Sequence, residues 1–270
     1  MDAADPIVAV EIEGVPLRLR VDLDQQDSIE LNPASAARLA VKWEDGLLID
    51  VGRVRLSSRV APVSMNVGGR IVLAQVSEHG RDCCQGVDGA ISPVLLPFAT
   101  IYWRREGAQA PTGSLFLPLD ASPTTGLSAA SDLPGARLRF SLSQQETVAT
   151  AAAGATLSSQ WKGHWAGPPR RVLVAFGVAR PARTMTFERP GLLAGFRIDR
   201  LPVRLSDFAG DTKLPGDALD ADDVVVSHKL ERQHAWPAVT IGADRLSRCA
   251  EIVYRAVPRS LTLHCAFDRP

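Results

Sequence analysis

Asp22 is the residue of this sequence that is best placed for acid–base chemistry. It directly follows the run LRLRV (17–21), in which apolar and basic residues alternate. Asp24 and Asp27 come next, within the polar segment DLDQQD. A carboxylate at the end of a strand can act as a general acid or base, which makes Asp22 the first catalytic candidate and Asp24 a weaker one. Aspartates are also ordinary turn residues whose oxygens accept backbone hydrogen bonds. This second interpretation stays open for Asp22 and is favoured for Asp24 and Asp27.

Histidines and tryptophans in polar stretches are further candidates. The segment QWKGHWAG places a histidine between two tryptophans, and SHKLERQHAW combines two histidines with a third tryptophan. An imidazole can pair with a carboxylate such as Asp22, and loop aromatics at the mouth of a cleft supply binding area. Solvated loop histidines and buried tryptophans would give the same sequence pattern. The candidate binding residues are Trp43, His164, Trp165, His234 and Trp236.

The four cysteines fall into two pairs. Cys249 and Cys265 flank two β-rich runs that meet at Val257-Pro258, so on a tight hairpin they would face each other close to disulfide distance. We expect either this disulfide or two half-buried thiols. The adjacent Cys83 and Cys84 form either a vicinal disulfide or inert thiols. No His or Cys lies at metal-ligand spacing from them, so we expect no zinc site, and we expect no cofactor.

The composition limits the classes of partner. Thirty basic and thirty acidic residues cancel without forming a block of one sign, so we expect neither nucleic acid nor anionic lipid as a partner. A mean hydropathy near zero is globular, and the apolar runs are too short to span a membrane. The start MDAADPIVAV lacks a basic and then apolar leader. The protein is therefore either cytoplasmic, or periplasmic or secreted with its leader absent, and the cysteines favour the second. Nothing in the sequence indicates an oligomeric state.

Alternation of apolar and polar residues predicts strands along most of the chain. PASAARLA predicts a short helix with Pro33 in its first turn, and GLLIDVGRVRL predicts a hairpin. The segment 121–134 is poor in large apolar residues and predicts a linker between residues 1–120 and 135–270. A second low-complexity run, TVATAAAGATLSSQ (147–160), predicts a mobile excursion.

The two halves share a pattern at an offset of roughly 150 residues. LLPFATIYWR (95–104) corresponds to LSRCAEIVYR (246–255), and GSLFLP (113–118) corresponds to RSLTLH (259–264). Residues 15–31 then align with RRVLVAFGVARPARTMT (170–186). We therefore expect two homologous halves.

These motifs resemble the pepsin and retropepsin-like aspartic peptidases. The resemblance is carried by G-x-P-L-x-L-x-V-D (14–22), a short helix, a hairpin and then D-G-A-I (88–91), with VTIGADRL and EIVYR similar to the end of the second lobe. It implies a mostly β, bilobal pepsin-like fold, with two homologous β-barrel-like lobes, short helices and a central cleft. Trp43 would lie at the base of the flap that closes this cleft.

The resemblance is incomplete at the catalytic turns, where each lobe of the family supplies one Asp in a D-T/S-G turn. Asp22 matches the first aspartate, but Leu23 and Asp24 replace the residues that follow it. The alignment of the second half puts Ala175 or Gly177 at the catalytic place, and neither can ionise. The family mechanism needs two carboxylates that share one proton. A facing carboxylate at Asp24 would also perturb the pKa of Asp22.

We therefore expect a pseudo-aspartic protease that binds a peptide, a glycan or a small molecule in its interlobe cleft. The alternative is an active enzyme on the same scaffold, either a divergent aspartyl peptidase or hydrolase, or a repurposed activity in which Asp22 works with a partner other than Asp. A purely structural module is a third hypothesis. The group that faces Asp22 across the cleft separates the first two.

Overall fold

The computed structural model describes residues 1–25, 27–51, 54–122, 126–131, 133–206 and 237–268. Over these residues the chain is mostly β, with 18 strands, three α-helices and a 3-10 turn at Pro93–Leu95. The helices are α1 (Pro33–Ala36), α2 (Ala151–Trp161) and α3 (Ala243–Leu246). The strands are β1 (Ile7–Ile12), β2 (Val15–Val21), β3 (Ile29–Leu31), β4 (Glu44–Val51), β5 (Val54–Val67), β6 (Arg70–Glu78), β7 (Gly89–Ile91), β8 (Thr100–Arg104), β9 (Gly113–Ser122), β10 (Gly126–Ala130), β11 (Arg137–Phe140), β12 (Val148–Ala149), β13 (Gly163–Ala175), β14 (Val178–Leu193), β15 (Phe196–Arg204), β16 (Ala238–Ile241), β17 (Cys249–Arg255) and β18 (Ser260–Cys265).

The alternating pattern of β2 produces its strand directly. Leu17, Leu19 and Val21 are buried in the core, whereas Arg18 is exposed on the other face. Successive strand residues point to opposite faces, so one apolar residue in two is enough to cover a core. β2 pairs antiparallel with β1 and parallel with β7, and this second pairing fixes where the chain after Val21 emerges.

The first half of the described chain forms a closed barrel. Its strands run in the order β1-β2-β7-β3-β6-β5-β4, and β1 also pairs with β5. The pairs Glu11↔Asn66 and Ile12↔Met65 close the ring, so six strands form the barrel and β4 extends beyond it. Closure leaves fewer strand edges unpaired.

The second sheet repeats the pairing pattern of the first. Within the described residues it has 11 strands in the order β13-β14-β15-β12-β16-β11-β10-β9-β18-β17-β8. The parallel pair β11–β16 corresponds to β2–β7, and the parallel pair β12–β15 corresponds to β3–β6. β8 and β9 from the first half continue this sheet beside β17 and β18, and one hydrophobic core extends through both sheets.

The structure corrects two details of the sequence prediction. Residues 170–186, which we aligned with 15–31, lie in the β13–β14 hairpin. The strand that corresponds to β2 is β11, because β11 has the equivalent parallel partner. Residues 147–160, predicted as a mobile excursion, fall mostly in α2, which begins after the cap Thr150. The boundary between the halves at residues 121–134 stays a prediction; the described part of this segment contains β10, which pairs with both β9 and β11.

The longest helix of the described residues is α2, with 11 residues. None of the helices in this part of the chain is long and apolar enough to cross a membrane.

Candidate functional site

Asp22 lies at the junction of the two halves, immediately after β2. Its backbone N–H donates to the carbonyl oxygen of Ile91 at 3.0 Å, which continues the β2–β7 pairing by one residue. The side chain is 5% exposed. A buried carboxylate needs hydrogen-bond donors or a cation to replace its lost hydration. The identity of those donors therefore determines what Asp22 can do.

The donors come mainly from the turn after β11. The Ser141 hydroxyl donates to Asp22 Oδ2 at 2.8 Å, and the Leu142 N–H donates to Oδ1 at 3.2 Å. Ser143 donates to Oδ2 with its N–H, at 3.3 Å, and with its hydroxyl. Asp24 adds its own N–H to Oδ1 at 3.3 Å. Asp22 thus accepts five hydrogen bonds from described residues, four of them from the other half of the chain.

Ser141 occupies the position in the second half that Asp22 occupies in the first. Its backbone N–H donates to the carbonyl oxygen of Ile241 at 3.0 Å, as the N–H of Asp22 does to Ile91. The sequences agree as well, since RLRVDLDQQD (18–27) corresponds to RLRFSLSQQE (137–146). The expectation that Ala175 or Gly177 stands at this position is wrong, because both lie at the turn of the β13–β14 hairpin. The group opposite Asp22 is a serine hydroxyl.

This arrangement leaves Asp22 little capacity for catalysis. A carboxylate has about four lone-pair sites, and five donors already use them. Ser141 is no better placed as a nucleophile, because its hydroxyl proton points to Asp22 and its oxygen accepts from the Gln144 N–H at 3.0 Å. None of the hydrogen bonds to Asp22 from the described residues comes from an imidazole or a second carboxyl. The donors to Asp22 in this part of the chain are serine hydroxyls and backbone N–H groups.

Asp24 is the perturbed carboxyl of the site. Its pKa is raised from 3.8 to about 7, and burial is the largest cause; the Arg139 charge lowers the pKa, the Asp22 charge raises it, and the Arg204 charge lowers it. Arg139 lies 2.5 Å from Asp24 Oδ1 and also donates to the Asp24 carbonyl oxygen at 3.0 Å. Arg139 belongs to β11, so this ion pair again joins the two halves. Ser143 is exposed beside it, which gives the site an opening to solvent.

The end of β4 and the start of β5 contact the tip of the β13–β14 hairpin. Val51, Leu56 and Val178 form a small buried cluster, and the Arg180 guanidinium donates to the Val51 carbonyl oxygen at 3.3 Å. Phe176 at the second tip has a positive φ of 50° and packs partly buried against this cluster. The contact joins the halves at a second place, away from the Asp22 turn in sequence.

A polar cluster that the sequence did not suggest lies between β3 and β6. Glu30, which is 1% exposed, accepts from the Ser77 hydroxyl at 2.7 Å and pairs with Nδ1 of His79 at 2.7 Å. The pKa of Glu30 is raised by burial. The hydrogen bond and the charge of His79, and the hydrogen bond of Ser77, oppose this rise only in part. Glu30 lies on β3, Ser77 lies on β6 and His79 follows β6, and no sequence motif connects these residues. The parallel pairing of β3 with β6 brings them together.

The predicted aromatic and histidine residues are dispersed. Trp43 lies just before β4, and the Arg59 guanidinium is 5.3 Å from its ring centre. His164 is exposed on β13 and its Nε2 pairs with Glu188 at 2.7 Å, so its partner is not Asp22. The candidates His234 and Trp236 lie outside the described residues. Trp165, on β13, has the Arg183 guanidinium 5.7 Å from its ring centre.

Both cysteine pairs are linked as disulfides. Cys249 and Cys265 are opposite each other in the β17–β18 register, and Cys83 is joined to its neighbour Cys84. Over the residues that the structure describes, no group of three or more His, Cys, Asp or Glu side chains could hold a metal ion.

Two surface depressions of the described chain lie away from the Asp22 turn. One, of about 600 Å³, is lined by residues that include Arg104, Glu251 and His264 on the strip of β8, β17 and β18. The other, of about 410 Å³, is lined by residues 112–115, Gly195, Phe267 and Asp268. Neither includes a residue that binds Asp22.

Comparisons with known proteins give little further information. No family model matches the chain, and no curated protein does. Among solved structures, the chain is similar to the EIAV protease complexed with the inhibitor HBY-793, at 19% sequence identity and a TM-score of 0.28. The similarity covers 33% of this chain and 81% of that one.

Proposed function

We propose that this protein is a non-proteolytic, bilobal member of the pepsin-like proteins that binds a peptide, a glycan or a small molecule between its lobes. The lobes would be residues 1–120 and 135–270, each contributing one turn at the position of a catalytic aspartate. The two disulfides favour an oxidising compartment, that is, a periplasmic or secreted protein.

The observation that carries the proposal is the pair formed by Asp22 and Ser141. An aspartic peptidase needs one carboxylate that takes a proton from water and a second carboxyl that polarises the peptide carbonyl. Ser141 supplies a hydroxyl at 2.8 Å where the second carboxyl would be. A serine hydroxyl gives a proton up far less readily than a carboxyl, so it cannot act as the acid. Loss of one member of such a coupled unit costs at least about 10²–10⁴ in rate.

Binding is supported by what surrounds this pair. Ser143 is exposed, and the Asp24–Arg139 ion pair next to it offers both signs of charge at the junction of the halves. Hydrogen-bonding groups of this kind orient a polar ligand. In this proposal the β4–β5 hairpin, with Trp43 before it, would serve as the flap of the resembled family.

A second function stays in view because of the pKa of Asp24. A carboxyl with a pKa of about 7 is half-protonated at neutral pH, which suits a general acid or base. A repurposed hydrolase would then use Asp24 beside Asp22, with Arg139 polarising the substrate.

Peptidase assays separate these functions. We expect no cleavage of a generic peptide library between pH 3 and pH 7, and the Asp22→Asn and Asp24→Asn variants should behave like the wild type. Turnover that pepstatin inhibits and that Asp22→Asn abolishes would overturn the proposal. Turnover that only Asp24→Asn abolishes would instead favour the hydrolase. The exposed residue Asp199 provides the matched control, Asp199→Asn, for any loss through misfolding.

Binding is tested with a second pair of variants, Arg139→Ala and Ser143→Ala. Peptide and glycan arrays probed with the wild type should show a ligand whose affinity falls at least about tenfold in Arg139→Ala, since a charge-assisted hydrogen bond is lost. Binding that is unchanged in Arg139→Ala and in Ser143→Ala would contradict a ligand site at this junction.

A further inference from the structure

The vicinal disulfide Cys83–Cys84 lies in the segment between β6 and β7 and is held by one side chain. Asn32 Oδ1 accepts from the N–H of Cys83 at 2.9 Å and of Cys84 at 3.3 Å. Asn32 Nδ2 donates to the carbonyl oxygens of Cys84, at 2.8 Å, and Val87, at 2.9 Å. The amide of Asn32 is thus fully used in fixing the backbone around the disulfide.

A disulfide between neighbours contributes little to global stability. Cross-links stabilise mainly by closing a loop of the unfolded chain, and adjacent residues close almost none. Cys249–Cys265, by contrast, has a sequence separation of 16 and links β17 to β18. Cys249 is 1% exposed and Cys265 is 0% exposed. Cys83 is only half-buried. The effect of Cys83–Cys84 is therefore local, and its sulfur is the more accessible to an external thiol.

The same segment supports the second half of the chain. The ring of Phe176, at the tip of the β13–β14 hairpin, lies 4.4 Å from the ring of His79. The next residue, Gly177, has a positive φ of 67° and lies so close to the Asp82 carbonyl oxygen that a Cβ would collide with it. Both contacts fall within the five residues that end at Cys83. A change in the backbone at Cys83 would be transmitted to this contact.

His79 is held in place from below. Its Nδ1 pairs with the buried carboxylate of Glu30 at 2.7 Å, and Glu78 Oε1 accepts from the Gly80 N–H. Its Nε2 is buried without a hydrogen-bond partner among the described residues, beneath a phenylalanine that can offer none. A buried nitrogen without a partner costs free energy, so solvation of His79 would favour withdrawal of Phe176.

We propose that Cys83–Cys84 is a thiol–disulfide exchange site for a dithiol reductant, and that its reduction releases the β13–β14 tip from His79 and Asp82. A thiolate of the dithiol attacks the accessible Cys83 sulfur, the Cys83–Cys84 bond breaks, and Cys84 leaves as a thiolate that takes up a proton. The second thiol of the reductant then displaces Cys83 by attack on the mixed disulfide. The reductant ends as its own disulfide, and the protein gains two electrons and two protons.

The inference is independent of what binds near Asp22. Its consequence is a junction that is closed at Phe176 in the oxidised protein and loosened in the reduced protein. Exposed or strained disulfides are the ones that regulatory exchange uses.

The test titrates the full chain with dithiothreitol, alkylates free thiols and follows hydrogen exchange of amides 174–178 by mass spectrometry. Cys83 and Cys84 should be alkylated at a dithiothreitol concentration at least about tenfold below that needed for Cys249 and Cys265. Over that range, exchange at 174–178 should rise about tenfold.

A variant with Cys83→Ser and Cys84→Ser should show the fast exchange without reductant and no further response. The Cys249→Ser, Cys265→Ser variant is the matched control, and its tip should still respond. Reduction of both disulfides together, or a tip whose exchange does not change when Cys83 and Cys84 are reduced, would overturn the proposal. Because the wild type itself is titrated, the result does not depend on the serine variant folding.

Discussion

Replacing Asp24 by Asn should change how the stability of this protein depends on pH. Burial, with a smaller addition from Asp22, holds the pKa of Asp24 at about 7 against an ordinary value of 3.8. A carboxyl whose pKa is raised on folding favours the folded state in its protonated form. That contribution is fully present below pH 3.8 and is lost as the pH rises through about 7.

The size of the effect follows from the two pKa values. One unit of difference corresponds to about 1.4 kcal/mol, so the rise from 3.8 to about 7 sets a ceiling of roughly 4 kcal/mol on the stability lost between pH 4 and pH 8. The side chain is 17% exposed, so solvent reduces this figure. The Asp24→Asn variant cannot ionise at this position. Its free energy of unfolding relative to the wild type should therefore rise by about 2–4 kcal/mol between pH 4 and pH 8.

Urea unfolding at unit steps from pH 4 to pH 8, followed by tryptophan fluorescence, measures this difference. Asp199→Asn is the control, because Asp199 is exposed and pairs only with Arg197 in the described structure; its effect should stay within about 0.5 kcal/mol at every pH. A difference between wild type and Asp24→Asn that does not vary with pH would refute the reasoning. It would show that the Arg139 ion pair offsets the burial of Asp24 completely.

Three further perturbations probe the site and its supports. Ser141→Asp puts a second carboxyl beside Asp22, and two like charges at this distance disfavour joint ionisation, so this variant should lose about 2–4 kcal/mol more stability at pH 8 than at pH 4. The control Ser141→Asn should show no such dependence on pH. Equal pH profiles of the two variants in urea unfolding would argue against the facing geometry. Thr150→Ala removes the hydroxyl that accepts from the Ala153 and Ala238 N–H groups and should lower the free energy of unfolding by about 1–2 kcal/mol. Thr150→Ser keeps the hydroxyl and should be close to the wild type. Equal melting temperatures of the two variants would exclude this capping role. Replacing both Cys249 and Cys265 by Ser should lower the free energy of unfolding by about 3 kcal/mol under oxidising conditions and leave it unchanged under strong reduction. Equal melting temperatures of the wild type and the variant without reductant would show that the cross-link is not stabilising.

Strands were predictable because alternation records burial directly. In β2, the inward residues Leu17, Leu19 and Val21 are the apolar ones, so the pattern and the structure carry the same information. α2 was not predictable in this way. Apart from Leu157, its buried residues are alanines and a glycine, which carry too little hydrophobicity to show a period. The helix was nevertheless indicated by alanine, the strongest helix former, after a Thr cap.

The second half of the site was not predictable from a carboxylate pattern, because its central residue is a serine. RLRFSLSQQE repeats RLRVDLDQQD closely, but it has Ser141 and Ser143 where the first turn has Asp22 and Asp24. One offset could not align both ends of the repeat. Asp22 and Ser141 are 119 residues apart, whereas the later strands align at roughly 150 because the second half is longer before β16. The identical Arg, Leu and Gln residues of these two segments indicated the correct alignment better than a search for a second acidic residue.

Contacts between distant segments were beyond the reach of sequence patterns. Glu30 and His79 are 49 residues apart, and Phe176 contacts His79 because the tip of the β13–β14 hairpin packs against the segment that follows β6. Such proximity depends on strand register and hairpin length. Neither leaves a periodic trace in the residues concerned.

The hydrogen bonds to Asp22 join the two halves of the chain and occupy the oxygens that a general base would need. A general base needs a lone pair that water or substrate can reach, but both oxygens of Asp22 already accept hydrogen bonds from the turn after β11. Hydrogen bonds to a charged acceptor contribute more than neutral ones, so these donors tie β2 to β11 across the junction of the halves. A carboxylate at position 141 could donate only while protonated, whereas Ser141 donates at every pH. On the proposal of a non-proteolytic protein, the hydroxyl that stands in place of the second acid is therefore also one of the groups that join the two halves.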